Sequence, residues 1–389
     1  MIYRWLIFIF VVIIFQLYSS LAIKTISKNY WLQLGFIVFN VIVFLNFIIQ
    51  VFLFRDNGLM SPYFSYSFGV FIVSFIFQII AIFFLISEDV VRVSQWFYHL
   101  FSKGFNQSFD YIPERRKFIS QIAVLLASIP VSTLLFGMLW GKYSFRVIKH
   151  QLSFPRLPKK FDGFRIVHIS DFHCGSFDNK DKIKRGIEMI NEQKPDLLLF
   201  SGDMVNNKAE EILPWKDLIS SLNAPYGKYS VLGNHDYGDY VSWKSDKLKE
   251  ENLQQLFDLQ NQMGFQILSN ESISINKEDQ HIKIVGVENW GSGGFKKKGD
   301  LDKALKGIQS NDFMILLSHD PSHWAEKVIN YKEHIDLTLS GHTHGMQFGI
   351  EIPGWIKWSP VKYRYKYWAG MYKENSKYIC NDCKQVSNK

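Results

Sequence analysis

Cysteine is scarce in this 389-residue sequence, which contains only Cys174, Cys380 and Cys383. Three cysteines exclude a disulfide framework, and one C-x-x-C pair lacks the second pair typical of a thiolate zinc site. Charge is also absent from four long stretches rich in Phe, Ile, Leu and Val, at residues 5–23, 29–54, 57–87 and 118–141. A helix needs about 20 mostly apolar residues to cross a bilayer. We therefore predict four transmembrane helices, the first of which is a retained helix rather than a cleaved signal peptide.

The second part of the chain has almost no net charge, unlike the first part. Residues 1–150 contain 12 Lys and Arg against 5 Asp and Glu, whereas residues 151–389 contain 32 against 31. Because no long basic face remains, we predict no nucleic-acid partner. Basic residues at the ends of apolar segments instead predict contact with a lipid bilayer.

The apolar segments contain no charge but do contain polar residues. An uninterrupted span argues against a transporter or a proton relay, which usually needs a charged residue within the membrane. Asn46 and Gln50 lie four residues apart, as do Ser74 and Gln78. This spacing predicts hydrogen bonds between helices.

The basic residues also predict a topology for this multipass cell-membrane protein. The segment 87–117 carries Arg92, Lys103 and the run Arg115-Arg116-Lys117. The positive-inside rule places this segment in the cytoplasm and residues 142–389 outside it. Arg115-Arg116 ahead of an apolar segment resembles a twin-arginine export signal, and it is equally well explained as the basic flank of a helix.

The pattern changes after a linker at 142–160. Apolar runs rich in β-branched residues predict strands at 165–170, 196–201, 229–232, 282–287, 313–318 and 335–340. Helical spacing occurs between several of them, for example at 182–193 and 248–263. Strands that alternate with helices predict an α/β domain.

Polar side chains follow five of these runs directly. The candidate ligands among them are Asp171, His173, Asp203, Asn234, His319, His342 and His344. The carboxyl ends of strands are where open α/β sheets bind ligands. Imidazole and carboxylate together suit Mn, Fe or Zn, and seven ligands are too many for one ion. The sequence therefore predicts two divalent ions that share a carboxylate.

The ordered series Asp171-x-His173, Gly202-Asp203, Gly233-Asn234-His235-Asp236, His319 and Gly341-His342-x-His344 resembles the calcineurin-like metallophosphoesterases of the membrane-associated bacterial type. The resemblance covers roughly residues 160–375. It implies a two-sheet β-sandwich flanked by helices, in four α/β/β/α layers, after the four-helix transmembrane region. The resemblance also implies that Asp171, His173 and His344 hold one ion, that Asn234, His319 and His342 hold the other, and that Asp203 bridges them.

Two further residues receive catalytic roles from the resemblance. His235 would stabilise charge on the phosphate or protonate the leaving oxygen, and Asp236 would orient His235 by accepting its other ring proton. The implied activity is hydrolysis of a phosphate ester or phosphoanhydride by metal-bound hydroxide. The expected substrate is a phosphorylated small molecule or a lipid-linked envelope compound, and the oligomeric state stays open.

The end of the chain departs from the family pattern. We expect transmembrane helices at 1–141, the linker at 142–160, the metallophosphoesterase domain at 161–379 and an atypical polar tail at 380–389. Tyr378-Ile379 begins a strand, but the polar residues after it indicate truncated C-terminal strands. This leaves an alternative function, a non-catalytic membrane protein whose phosphoesterase-like domain binds metal but is inactive.

Overall fold

The computed structural model describes residues 2–57, 62–103, 113–345, 349–352 and 354–382. They form two compact units, one of the described residues up to Ser144 and one of those from Phe145 onward.

The first unit consists of long helices. Its helices are α1 (Ile2–Ile26), α2 (Tyr30–Asn57), α3 (Pro62–Lys103) and α4 (Pro113–Leu139). All four are long and apolar enough to cross a membrane, as predicted. The segment expected to be a loop from residue 87 differs, because α3 continues through it to Lys103. Residues 88–103 contain neither Gly nor Pro, the residues that most readily end a helix.

Polar side chains connect the helices of the first unit. The Gln78 Nε2 group of α3 donates to Gln16 Oε1 of α1 at 3.1 Å and to Asn40 Oδ1 of α2 at 3.0 Å. Ser67 of α3 donates to Asn46 of α2. The predicted hydrogen bonds between helices are confirmed for Asn46 and Gln78, and for Ser74, which donates to Asn40 of α2.

The arginine pair at the start of α4 forms ion pairs with α3. Arg116 Nη1 lies 2.7 Å from Glu88 Oε2 and 2.9 Å from Asp89 Oδ1, and Arg115 Nη2 lies 3.1 Å from Glu88 Oε1. Arg116 and Glu88 are both buried. The pair therefore joins the two helices, whatever part it plays in export.

The second unit begins with a parallel sheet. Its strands are β1 (Ile166–Ile169), β2 (Leu197–Phe200), β3 (Lys228–Ser230) and β4 (Phe265–Ile267), paired in that order. The connections include α5 (Lys180–Glu192), α6 (Lys216–Ser220) and α7 (Asp246–Gln262). Asn179 and Ser245 cap α5 and α7 by accepting backbone N–H bonds, which fixes where these helices start.

A mixed sheet of six strands follows. Its strands are β5 (Glu271–Lys277), β6 (Gln280–Val287), β7 (Met314–Ser318), β8 (Leu337–Ser340), β11 (Gly370–Glu374) and β12 (Lys377–Asn381). The order is β11-β12-β8-β7-β6-β5, with β6, β7, β8 and β12 parallel. The short helix α8 (Leu301–Ala304) precedes β7, and a separate hairpin of β9 (Ile350–Ile352) and β10 (Ile356–Trp358) follows β8.

The two sheets face each other across a hydrophobic core. Leu199 of β2 and Val231, which directly follows β3, belong to the same buried cluster as Ile284, Ile315 and Leu339 of the second sheet. The opposite face of the second sheet packs in another cluster, with Leu301 of α8 and the fully buried Trp324. Because successive residues of a strand point to opposite faces, the strands β6, β7 and β12 contribute to both clusters. The predicted sandwich with flanking helices is confirmed.

The end of the described chain is a strand where the sequence predicted a polar tail. In β12, Cys380 pairs with Leu339 and Asn381 with Ser340 of β8. Cys380 belongs to the core between the sheets, so burial of its side chain extends the strand past residue 379. The remaining predicted tail, residues 383–389 with Cys383, lies outside the described residues.

Candidate metal centre

The carboxyl ends of the parallel strands bring all seven predicted ligands together. Asp171, His173 and His344 each offer one ligand atom within 4.8 Å of the others, and so do Asp203, His319 and His342. The amide oxygen of Asn234 contacts both histidines of the second group.

Sharp backbone turns direct these side chains toward a common centre. Asp171, His173, Asp203, His342 and His344 all have left-handed backbone conformations, with φ between 48° and 73°. Such a conformation costs a non-glycine residue of the order of 1–3 kcal/mol and is concentrated at functional sites. Five of the seven predicted ligands share this strain, which the surrounding fold must overcome.

Two glycines allow the turns to approach the carboxylates. A Cβ atom at Gly233 would overlap the Asp203 carboxylate, and one at Gly341 would overlap the Asp171 carboxylate. Only glycine leaves this space, so both positions are required for the close packing of the centre.

The first group surrounds a point suited to a cation. His173 Nε2 lies 3.6 Å from Asp203 Oδ2 and 3.9 Å from Asp171 Oδ1, and His344 Nε2 lies 3.8 Å from Asp171 Oδ1. These separations are too long for hydrogen bonds. His173 Nε2 is buried and has no hydrogen-bond partner among the described residues. Since zinc and similar ions bind N and O ligands at about 2.0–2.2 Å, an ion between these atoms would satisfy that nitrogen.

The second group shares Asp203 with the first. Asp203 Oδ2 lies 3.1 Å from His319 Nε2. Asn234 Oδ1 lies 3.2 Å from the same nitrogen and 2.7 Å from His342 Nδ1. One carboxylate therefore faces both sets of ligands, as a bridging ligand must.

The electrostatics of the centre favour positive ions. Burial lowers the pKa of His173 and of His342 to about 4, so both imidazoles are neutral at pH 7 and keep a lone pair. Burial opposes ionisation of Asp203, but His319 and His173 hold the pKa of this carboxyl well below its usual range. Burial likewise opposes charge on His319, yet Asp203 and Asp171 raise its pKa to about 10. The carboxylates thus attract a positive charge that a divalent ion would supply in place of a proton.

The structure corrects the expected role of Asp236. Its buried carboxylate accepts hydrogen bonds from the backbone N–H groups of Asp203, Met204 and Gly233 at 2.8 Å. The partner of His235 Nδ1 is instead the backbone carbonyl of Asn206, at 2.8 Å. Because the Asp236 carboxylate accepts hydrogen bonds from the turn that carries Asp203, it stabilises that loop. It does not orient His235.

Two tyrosines that no sequence pattern predicts contact the candidate ligands. Asn234 Nδ2 donates to Tyr240 Oη at 2.7 Å, and Tyr240 also packs on the His235 ring at 4.5 Å between centroids. Tyr365 Oη lies 2.7 Å from His342 Nε2. No spacing pattern marks either tyrosine, since both come from loops outside the polar clusters.

A third missed residue supports the His-x-His loop. The Asp382 carboxylate accepts from Thr343 Oγ1 at 2.7 Å, from the Gly345 N–H at 3.0 Å and from Ser170 Oγ at 3.0 Å. Asp382 thereby connects the loop of His342 and His344 to the residue before Asp171. Because Asp382 lies in the segment predicted to be a polar tail, the sequence alone did not predict this role.

Similarity to known proteins agrees with this geometry. The calcineurin-like phosphoesterase family matches residues 164–346, and the family described as "Probable Calcineurin-like phosphoesterase, transmembrane domain" matches residues 3–142. The "Uncharacterized metallophosphoesterase YkuE" of Bacillus subtilis (strain 168) is 33% identical over 239 residues, which cover 59% of this chain and 75% of the relative. The chain belongs to the calcineurin-like phosphoesterase family.

Other relatives are similar to about half of the chain. An "Uncharacterized metallophosphoesterase" of Aquifex aeolicus (strain VF5) is 31% identical over 205 residues, or 52% of this chain and 71% of the relative. The "UDP-2,3-diacylglucosamine pyrophosphatase LpxG" of Chlamydia muridarum (strain MoPn / Nigg) is 30% identical over 240 residues, which cover 51% of this chain and 69% of the relative. The predicted family and its hydrolase class are confirmed, and this calcineurin-like phosphoesterase has a membrane unit of four apolar helices.

Proposed function

We propose that this calcineurin-like phosphoesterase hydrolyses a phosphate ester or phosphoanhydride at a centre of two divalent ions. The observation that carries the proposal is the arrangement of two ligand groups around one shared carboxylate, Asp203. Asp171, His173 and His344 would hold one ion, and Asn234, His319 and His342 the other. Two ions of Mn, Fe or Zn would supply a hydroxide nucleophile near neutral pH and neutralise charge on the phosphate.

The protein's own groups would orient these ligands. The Asn234 amide donates to Tyr240, which leaves its oxygen directed at His319 and His342. The His319 Nδ1–H group donates to the Ser201 carbonyl at 2.8 Å, which leaves Nε2 as its ligand atom. The proposed ligand atoms of Asn234 and His319 are thus each fixed by a bond on the other side of the side chain.

His235 has a geometry suited to a proton donor. With Nδ1–H donating to the Asn206 carbonyl, Nε2 is the nitrogen left for the substrate. Its ring lies 4.8 Å from the His173 ring, so it borders the first ligand group. We assign to His235 the protonation of the leaving oxygen or the stabilisation of charge on the phosphate.

The central test is hydrolysis of an aryl phosphate monoester and diester by the full-length protein in detergent, stripped of metal and resupplied with Mn. We expect turnover that depends on Mn. The His235→Asn variant should lose about 10²–10⁴-fold in turnover, the usual contribution of a general acid. It should keep its bound metal, which elemental analysis would measure on the same sample.

Metal content decides between two roles for His235, since its ligand atom also lies within 4.8 Å of those of His173 and Asp203. Loss of an ion in His235→Asn would make it a ligand and contradict the proposed role. An inactive wild-type protein with both ions bound would favour the non-catalytic alternative. The pairing of β12 with β8 supports catalysis, because it continues to Asn381, two residues past the point where the strand is expected to end.

We further propose a lipid-linked substrate from the cell envelope. Two observations support it: the four apolar helices, and the relative named as a pyrophosphatase of UDP-2,3-diacylglucosamine. A membrane tether raises the effective concentration of the catalytic unit near such a compound. A soluble phosphorylated small molecule is the alternative, and hydrolysis of a dispersed lipid pyrophosphate would separate the two.

The distribution of basic residues supports a catalytic unit outside the cytoplasm. We expect a cysteine at the exposed position 159, in Lys159→Cys, to react with an impermeant maleimide applied to intact cells. The parent protein treated in the same way gives the background of the native cysteines. Labelling only after the cells are opened would place the catalytic unit inside.

A further inference from the structure

The β9–β10 hairpin has one apolar face and one polar face. Ile350 pairs with Trp358 and Ile352 with Ile356, so these four side chains share one face. Glu351 and Lys357, which also pair, lie on the other face. A hairpin on a soluble domain usually turns its apolar face to the protein.

Here the polar face is the one in contact with the domain. Lys357 Nζ donates to the Ala369 carbonyl at 2.9 Å and lies 5.1 Å from the centre of the Trp368 ring. On the opposite face, Ile350 is 55% exposed, Ile352 42% and Ile356 37%. Three of the four side chains of the apolar face are therefore exposed, and the fourth, Trp358, is half-buried.

Exposed apolar side chains are concentrated in this region. Trp355 in the hairpin turn is 78% exposed, and Tyr363 just after the hairpin is 76% exposed. Together with the three isoleucines they are half of the ten large apolar side chains that are strongly exposed among the described residues from 145 onward. The other five are Phe145, Val147, Leu213, Tyr240 and Leu248. An apolar patch of this kind marks an interaction site.

The charge around the patch indicates its partner. Residues 349–369 contain four basic side chains against one acidic, and Lys362 and Lys366 are exposed beside the aromatic residues. Trp and Tyr are enriched at the boundary between headgroups and acyl chains, and lysines nearby are attracted to anionic lipid. Five apolar side chains are few for a second protein chain, since a stable interface uses roughly 20–30 residues a side.

A bilayer is also the partner that the chain always has nearby. The four apolar helices are covalently joined to the catalytic unit, so a weak contact with lipid needs no separate association step. A small apolar face is sufficient under that condition.

We propose that the hairpin patch, formed by Ile350, Ile352, Trp355, Ile356 and Tyr363, inserts into the headgroup region of a bilayer that contains anionic lipid. Tyr365, two residues after Tyr363, contacts His342 of the metal centre. Docking through the patch would therefore place lipid next to a segment that contacts the candidate metal centre. The docking itself does not depend on the proposed hydrolysis.

The test uses full-length protein in nanodiscs of zwitterionic and anionic phospholipid, with a spin label at Trp355→Cys. Lys247→Cys on α7 is the matched control, because that side chain is 83% exposed and belongs to a polar stretch of helix. Unsubstituted protein carried through the same labelling corrects for the native cysteines. Collisions of the label with oxygen, which is concentrated in lipid, are compared with collisions with a water-soluble nickel chelate.

We expect the logarithm of the oxygen-to-nickel ratio to be positive at position 355 and negative at position 247. Tyr363→Cys provides a second label site and should also give a positive value. Negative values at both patch positions would overturn the proposal. Negative values accompanied by dipolar broadening between labels would overturn it in favour of a second copy of the chain. These readouts are independent of activity, so an inactive protein would still test the docking.

Discussion

Replacement of Asp203 with Asn should deprive the centre of its ions and lower phosphoesterase turnover by about 10³-fold or more. Asp203 Oδ2 lies 3.6 Å from His173 Nε2 in one ligand group and 3.1 Å from His319 Nε2 in the other, so no second residue can replace it. Metal ions supply several kcal/mol of transition-state stabilisation, and each 1.36 kcal/mol is a factor of about ten in rate.

The Asn variant separates the charge of Asp203 from its shape. Its side chain can still accept the N–H bond that Asp203 Oδ1 receives from His235 at 2.9 Å, so the turn should stay folded. The measurements are bound metal by elemental analysis, turnover with Mn and the melting temperature. Asp279→Ala, which removes an exposed carboxylate from a turn, is the control and should match the parent in all three. A variant that retained two ions and turnover within tenfold of the parent would refute the bridging role.

The seven candidate ligands were predictable because they follow apolar runs. A buried strand needs a continuous set of β-branched or apolar residues, and polar residues at its carboxyl end then stand out, as Asp203 does after Leu197–Phe200. Parallel pairing of β1, β2 and β3 brings such residues to one edge. Their conformations were not predictable, since the left-handed turns at Asp171 and Asp203 depend on contacts from the rest of the domain.

The errors arose where partners distant in the sequence decide the structure. Asp236 was assigned to its neighbour His235, but its acceptor atoms are taken by backbone groups of the preceding loop, such as the Asp203 N–H. The end of β12 looked like a polar tail because Asn381 and Asp382 are polar. Both are buried, and Asn381 Nδ2 donates to the Tyr367 carbonyl at 2.7 Å and to Thr343 Oγ1 at 3.1 Å. Burial of paired polar groups cannot be distinguished from exposure by composition alone.

Replacement of Asp382 with Ala should weaken binding of the ions by about 10–100-fold, the usual effect of losing a partner of the ligands. Asp382 is not a ligand, but its carboxylate holds Thr343 and Gly345 on either side of His344, and Ser170 beside Asp171. Without it, buried donors in the loop lose their acceptor, at about 1–3 kcal/mol each. The ion that we propose for Asp171, His173 and His344 should therefore be lost first.

Titration of the metal-stripped variant with Mn, followed by turnover and by calorimetry, distinguishes this positioning role from direct ligation. At saturating Mn the turnover of Asp382→Ala should return to within about tenfold of the parent, because all seven proposed ligands are still present. Asp203→Asn should not recover under the same conditions, since it lacks a ligand common to both groups. If excess Mn failed to restore a folded Asp382→Ala protein, the carboxylate would have a part in the reaction beyond support of the loop. If the variant bound Mn as tightly as the parent, the hydrogen bonds of Asp382 would not position the His-x-His loop.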